Sequence, residues 1–156
     1  MKAHQYQVNV EWTGNKGSGT FDYRSYGREH TVTVADKEAP IHCSSDPSFR
    51  GDSKRYNPEE LFVASLSSCH MLWYLHLCAV NDVIVLEYTD NASGKMIENV
   101  NGSGQFESVT LYPEVVVSKT EMIEKAKELH EKAHEMCFIA NSCAFPVTCE
   151  AQCIVK

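Results

Sequence analysis

The segment Asn57-Pro58-Glu59-Glu60-Leu61-Phe62-Val63-Ala64-Ser65-Leu66-Ser67-Ser68-Cys69 reads as the start of a long helix. Asn57 is a favoured N-cap residue, and Pro58 suits the first helical position, where its missing N–H removes no helical hydrogen bond. Glu60 can reach back to complete a capping box. Phe62, Leu66, Cys69, Trp73 and Leu77 then recur at helical spacing, which predicts a helix running to about Val80. This helix is apolar on nearly every side, so it is expected to be central and buried.

Upstream, residues 5–13 alternate polar and apolar, as a half-buried strand does. Gly14 to Gly19 reads as a turn, 19–26 as its hairpin partner, His30–Val34 as another strand, and the region of Ile41 as a short extended piece. Residues 44–56, with Pro47 and Gly51, read as a loop. Downstream, 83–89 is a predicted strand, 91–94 a turn, and 103–117 one long strand or two short ones, with Pro113 suggesting a sheet edge. A second helix is predicted over 120–136, capped by Ser118 with Glu121 or by Thr120. Its buried stripe is Met122, Ala126, Leu129, Ala133 and Met136. Pro146 breaks helix, and 147–155 reads as a final strand with Cys149, Ala151 and Cys153 on one face. Strands, helix, strands, helix, strand is an α+β order, not the regular alternation of a doubly wound sheet. Two long apolar helices exceed what one small sheet can cover, so a homodimer sharing that surface is expected.

With 156 residues, 43% of them hydrophobic, the chain can build one domain over 1–156 around a real core. No unbroken apolar run approaches the roughly 18 residues that span a membrane. Met1 to Gln7 holds no apolar signal region, so the expected location is cytoplasmic. The net charge is −7 and the lysines and arginines are scattered, which argues against nucleic acid and anionic membrane as partners. Gly14, Gly17 and Gly19 do not follow a strand-to-helix layout, so nucleotide binding is not expected. Seven cysteines, Cys43, Cys69, Cys78, Cys137, Cys143, Cys149 and Cys153, are an odd number for a fully paired disulfide framework. In a reducing compartment cysteines serve as small hydrophobes, metal ligands or redox groups.

The segment Asn57 to Cys69 resembles the OsmC/Ohr family, the osmotically inducible and organic hydroperoxide resistance proteins, which place a cysteine ten residues after such an Asn-Pro-Glu motif on a central helix. Cys137-Phe138-Ile139-Ala140-Asn141-Ser142, followed by Pro146-Val147, is similar to the family's second cysteine region. The element order fits over nearly the whole chain. The resemblance implies an intertwined α+β dimer, with two central buried helices and surrounding antiparallel sheets. It also implies reduction of hydroperoxides, organic ones in many members, by a cysteine pair, with an external dithiol as reductant and no metal or organic cofactor. One departure is Phe138, where many members have proline directly after the second cysteine.

On that resemblance Cys69 is the expected peroxidatic residue and Cys137 the resolving one, with Cys143 a rival resolver. An ordinary thiol, with a pKa near ~8.5, is only a few per cent thiolate at neutral pH. Mid-helix placement gives Cys69 no help from the helix dipole, so its reactive role calls for a cation. The resemblance points to Arg24, with Arg28 as runner-up, both in Tyr23-Arg24-Ser25-Tyr26-Gly27-Arg28. Glu59 matches the acid that orients this arginine. It stands about 15 Å along the helix from Cys69 and can serve that site only across a two-fold axis. The plain alternatives are a core cysteine at 69, a helix-end packing cysteine at 137, a solvated arginine at 24, and an acid at 59 that merely favours the helix N-terminus. Trp73, Tyr74, Phe62 and Phe138 are candidates to line an apolar pocket, although core packing is the commoner fate of such aromatics. His70 is expected to be structural or pocket-lining.

His130-Glu131-Lys132-Ala133-His134 spells the His-Glu-x-x-His zincin pattern. A zinc-binding protein or hydrolase using His130 and His134 is therefore one rival reading, and it needs a third ligand and an open cleft. The other rival is a non-catalytic dimer of the same fold that binds a small apolar ligand.

Overall fold

The computed structural model describes all 156 residues. They form two compact units, Met1–Leu61 and Phe62–Lys156.

The first unit carries one antiparallel sheet of three short strands, β1 (Asn9–Trp12), β2 (His30–Thr33) and β3 (Ile41–Cys43), in that order. The predicted hairpin partner at 19–26 does not form. Residues 13–29 are held as a loop instead, with Gly17 and Gly19 at positive φ and the Trp12 indole N–H donating to the Gly27 carbonyl at 2.8 Å. The partner of β1 is β2, pairing Val10 with Val32. Residues 44–56 are the expected loop, pinned by a single 3₁₀ turn at Pro47–Phe49 and a bridge from Cys43 to Tyr56.

The capping box at Asn57 is present in full. The Asn57 side chain accepts from the Glu60 N–H at 2.8 Å, and the Glu60 carboxylate accepts from the Asn57 N–H at 3.1 Å. It starts α1, Pro58–Val80. Asn57→Ala removes the side-chain bond to the Glu60 N–H while leaving the backbone N–H of residue 57 for the Glu60 carboxylate. It is expected to cost about 1 kcal/mol, lowering the thermal midpoint by about 2–4 °C in calorimetry, with Asn57→Asp retaining most of the stability. By length and composition alone the Pro58–Val80 helix is long and apolar enough to cross a membrane, although Ser67, Ser68, His70 and His76 interrupt its apolar run.

In the second unit, α1 buries the stripe Leu66, His70, Tyr74 and Cys78. The expected stripe through Cys69, Trp73 and Leu77 lies beside it, half-buried, while Leu72 and Val80 are 64% and 62% exposed. One face of α1, not its whole circumference, is therefore covered within the chain. Its first half packs through Phe62 and Leu66 on Val109 and Leu111. Its second half packs through Tyr74 and Cys78 on Val115, Val117, Ala126 and Leu129.

Two three-stranded sheets supply those surfaces. One has the order β4 (Val85–Asp90), β7 (Pro113–Val117), β9 (Gln152–Ile154); the other β5 (Ser93–Glu98), β6 (Gly104–Leu111), β8 (Val147–Cys149). β4–β7 and β5–β6 are antiparallel, whereas β6–β8 and β7–β9 are parallel, so the sheets are mixed and not purely antiparallel. Residues 103–117 are two strands in different sheets. Pro113 opens β7, the middle strand of its sheet and not an edge, and a first residue is a position where a missing N–H is tolerated. The predicted final strand is likewise split between the two sheets, which separates Cys149 from Cys153.

β5 is an addition to the expected elements. Gly94 sits inside it because a Cβ there would come within 2.7 Å of Val63 Cγ2 and 2.8 Å of Phe106 Cε1. The second helix, α2, covers Ile123–Met136 after a 3₁₀ turn at Thr120–Met122. No side chain caps it; the Ser118 hydroxyl instead lies 3.5 Å from Met122 Sδ. Ala126, Leu129 and Ala133 are buried as expected, and His130 is buried among them.

Candidate active site

Helix α2 stops at Cys137, whose extended backbone ends the helical bonding while its N–H still reaches the His134 carbonyl at 3.2 Å. The Asn141 N–H donates to the Cys137 carbonyl at 3.0 Å, and the Asn141 side chain donates to the Glu135 carbonyl at 2.9 Å. These bonds fix the bend Cys137–Ser142 and aim the Cys137 thiol at α1, where the Cys69 thiol is near enough to raise its pKa. Two cysteines 68 positions apart in sequence are thus neighbours, both as free thiols.

Their surroundings differ. Cys137 is 1% exposed, and burial pushes its thiol up to about 11, with the Ala140 N–H drawing it down and the neighbouring Cys69 pushing it further up. Cys137 therefore stays protonated at neutral pH. Cys69 is half-buried and opens onto an apolar pocket of about 440 Å³ lined by Cys69, Leu72, Trp73, His76 and Phe138. The Phe138 ring meets Trp73 edge-on at 5.6 Å, and His76 meets Trp73 edge-on at 5.9 Å. Phe138, in the place where proline is common, is thus a wall of the pocket. Only the thiol at the pocket is open to a small molecule, and only it suits an initial attack.

Of the four candidate lining aromatics, Trp73 and Phe138 line the pocket. Phe62 packs instead on Phe106 and Phe145, at 5.1 and 5.9 Å, and Tyr74 is fully buried against His130. Leu72 and His76 belong to the lining and were not anticipated. They stand three and seven positions after Cys69 on one helical face, so the periodicity of α1 holds the signal. Cys143 bonds the Ile139 carbonyl at 3.3 Å and packs in the core, with no contact to Cys69 that would make it the resolver.

The charged candidates lie in the first unit. Arg24 is exposed, its backbone N–H donates to Asp22 Oδ1 at 2.7 Å, and its guanidinium forms no ion pair. Arg28 is occupied. It donates to the Tyr26 and Tyr23 carbonyls at 2.6 and 2.8 Å and lies over both tyrosine rings, at 4.1 and 4.4 Å. Glu59 has a carboxylate oxygen that is buried without a hydrogen-bond partner in the chain.

The zincin reading meets a different arrangement. His130 is turned inward and pairs with His70 at 3.0 Å, with Cys149 as the third member of that group, while His134 stands outside it and Glu131 is exposed. His70 is thus fully buried and does not line the pocket.

Residues 51–152 match the family model described as OsmC-like protein. An OsmC-like protein of unknown function from Vibrio cholerae is 36% identical, with 96% of this chain and 100% of that one covered at a TM-score of 0.85. An organic hydroperoxide resistance protein OsmC from Legionella pneumophila is 15% identical, with both chains fully covered at a TM-score of 0.70. An organic hydroperoxide resistance protein from Elizabethkingia anophelis is 22% identical, with 100% and 99% covered at a TM-score of 0.68. The last two share the fold. No curated protein matches the sequence.

Proposed function

The chain belongs to the OsmC-like protein family, and on that premise we propose that it is a cytoplasmic, thiol-dependent hydroperoxide reductase acting as a homodimer. The observation that carries this reading is the proximity of the buried Cys137 thiol to Cys69, which itself lines an apolar pocket. The Cys69 thiolate attacks the distal oxygen of ROOH, the O–O bond breaks, and the alkoxide leaves as alcohol after taking a proton. Cys69 becomes a sulfenic acid. The Cys137 thiol then condenses with it, releasing water and closing a disulfide that an external dithiol reopens. The high thiol pKa of Cys137 fits the second step, because it keeps this group from competing for the peroxide and leaves it ready beside the sulfenic acid.

Arg24 is the proposed cation for the thiolate and the departing alkoxide, since its guanidinium is uncommitted whereas Arg28 is held by two carbonyls and two rings. Glu59, with its unpartnered oxygen, is the proposed acid that orients Arg24 across the dimer axis. The exposed side of α1, with Leu72 and Val80, supplies the apolar area for that dimer. The apolar lining favours an alkyl or aryl hydroperoxide over hydrogen peroxide.

Intact-mass analysis after one equivalent of an organic hydroperoxide tests the scheme. The expected product is the chain less two hydrogens, with the new bond mapped to Cys69–Cys137. In Cys137→Ser the same treatment is expected to add one oxygen at Cys69 and stop after a single turnover. A mass unchanged by peroxide, or a disulfide elsewhere, sinks the reading.

A further inference from the structure

The peroxide chemistry leaves a group of buried donors unused. His70 stands on the inward face of α1, His130 on the inward face of α2, and Cys149 ends β8. His70 Nε2 lies 3.0 Å from His130 Nδ1, and Cys149 Sγ lies 3.6 Å from the first nitrogen and 3.9 Å from the second. The imidazoles are 0% and 4% exposed, and Cys149 is half-buried. We propose that His70 Nε2, His130 Nδ1 and Cys149 Sγ form a three-coordinate site for a single soft monovalent metal ion, Cu(I).

Size is the first argument. A triangle with these sides has a circumradius of about 2 Å, close to the ~2.0–2.1 Å of a zinc–imidazole bond, and a shift of a few tenths of an ångström by Cys149 gives the longer metal–sulfur distance. Donor type is the second, since imidazole and thiolate together select soft and borderline ions over magnesium or calcium. Number and charge then choose among those ions. No fourth histidine, cysteine or carboxylate joins the group, whereas structural zinc is almost always four-coordinate. A single positive charge is cancelled by the Cys149 thiolate, so the filled site is neutral among its own ligands. A dication would leave a net charge in the interior, which is costly to desolvate.

The donors are also held close to one another. The Tyr74 ring lies on His130 with centroids 3.8 Å apart and planes at 11°, which limits tilting of that imidazole on one side. Both rings are almost wholly buried, which favours the neutral imidazoles whose lone pairs a metal ion uses. The pair is poorly satisfied as a mere hydrogen bond. Two neutral imidazoles bring two N–H groups, and the contact between them uses one. The other falls on His70 Nδ1 or His130 Nε2, neither of which has a protein partner. The rings are coplanar to within 4° and point their nitrogens at each other, so both must pivot for their lone pairs to meet the ion. On binding, the proton between the rings moves to the outer nitrogen of its own ring and the Cys149 thiol loses its proton to solvent. One proton is released per ion, and nothing is oxidised or reduced.

The test is anaerobic addition of one equivalent of Cu(I), buffered by a competing chelator, to the full-length, reduced, metal-free protein, read by X-ray absorption. The expected first shell is two nitrogens and one sulfur, and Cys149→Ser is expected to lose the sulfur and weaken binding by about 100-fold or more. A sulfur-only shell, as the paired thiols of Cys69 and Cys137 would give, overturns the proposal. So does an unchanged shell in Cys149→Ser, or Zn(II) held by these residues where Cu(I) is not. Should Cys149→Ser fail to fold, the wild-type shell and His130→Gln, expected to keep one nitrogen and the sulfur, decide the matter. Peroxide turnover is not part of the readout, so this outcome is independent of the proposed enzyme activity.

Discussion

Cys69→Ser is expected to lower peroxide consumption by about 10³-fold or more, with the far-ultraviolet spectrum and thermal midpoint unchanged. The exchange is small in volume at a half-buried position that opens onto the pocket, so packing changes little. The chemistry changes greatly. A hydroxyl is almost wholly un-ionised at neutral pH and is a poor nucleophile without a base, whereas a thiol always supplies some thiolate. Removing a nucleophile that no neighbour can replace costs orders of magnitude in rate. Cys137 cannot stand in, because it is buried and its thiol is pushed up to about 11. A stopped-flow or coupled assay with an alkyl hydroperoxide gives the number directly. Activity within tenfold of wild type would show that Cys69 is not the attacking group. A serine variant that unfolds is distinguished by its spectrum, and Cys69→Ala then supplies a second reading.

What was legible in the sequence follows from how local each determinant is. The start of α1 is written in four consecutive residues, since Asn57 and Glu60 bond each other and need nothing from elsewhere. The buried face of α1 within the chain was not legible, because a helix apolar on all sides carries no pattern that separates Leu66, His70 and Tyr74 from Cys69 and Trp73. β5 was missed because all six of its residues are exposed, so no alternation marks it, and because Gly94 within it looks like a turn residue. The opposite error occurred at 19–26, where a plausible strand gives way to a loop anchored by Trp12 and by Arg28 on its two tyrosines. Parallel pairing of β8 and β9 with β6 and β7 depends on which sheet each segment meets, and a single strand spanning both was the natural reading.

The same reasoning separates the two sulfur sites. The pairing of Cys69 with Cys137 is read from a family resemblance at two separate motifs, not from spacing, and the structure adds that Cys69 lines a pocket while Cys137 is buried. The group of His70, His130 and Cys149 had no such guide. Its members lie on three elements, and the only local signal, His130 with His134, pointed to a partner that the fold keeps apart. Helical spacing says which residues share a face; it does not say what that face meets.

Lowering the pH from 6.5 to 5 is expected to remove roughly 3 kcal/mol of folding stability through two imidazoles alone. Burial is the main cause of the depressed His70 value, about 4, with the charge of His134 adding to it and Asp90 opposing it. Burial likewise dominates for His130, at about 3, with His70 adding to it. About a unit or more above pH 6.5 both groups are neutral in the folded and the unfolded chain, and stability is indifferent to pH on their account. Below 6.5 the unfolded chain takes up protons that the folded chain refuses until about pH 4. The unfolded state therefore binds more protons, and stability falls as the pH falls. The slope approaches about 1.4 kcal/mol per pH unit for each imidazole, or about 1.5–2 kcal/mol each over this window. Against a typical total of about 5–15 kcal/mol, that is a large share. Urea unfolding of the reduced, metal-free protein at pH 7, 6.5, 5.5 and 5 measures it. The doubly substituted His70→Gln, His130→Gln protein is expected to lose most of the slope while the exposed histidines remain. A wild-type stability constant to within about 0.5 kcal/mol over that range would mean that these imidazoles are open to protons in the folded state. They would then not form the dry, neutral pair that the packing of Tyr74 on His130 requires.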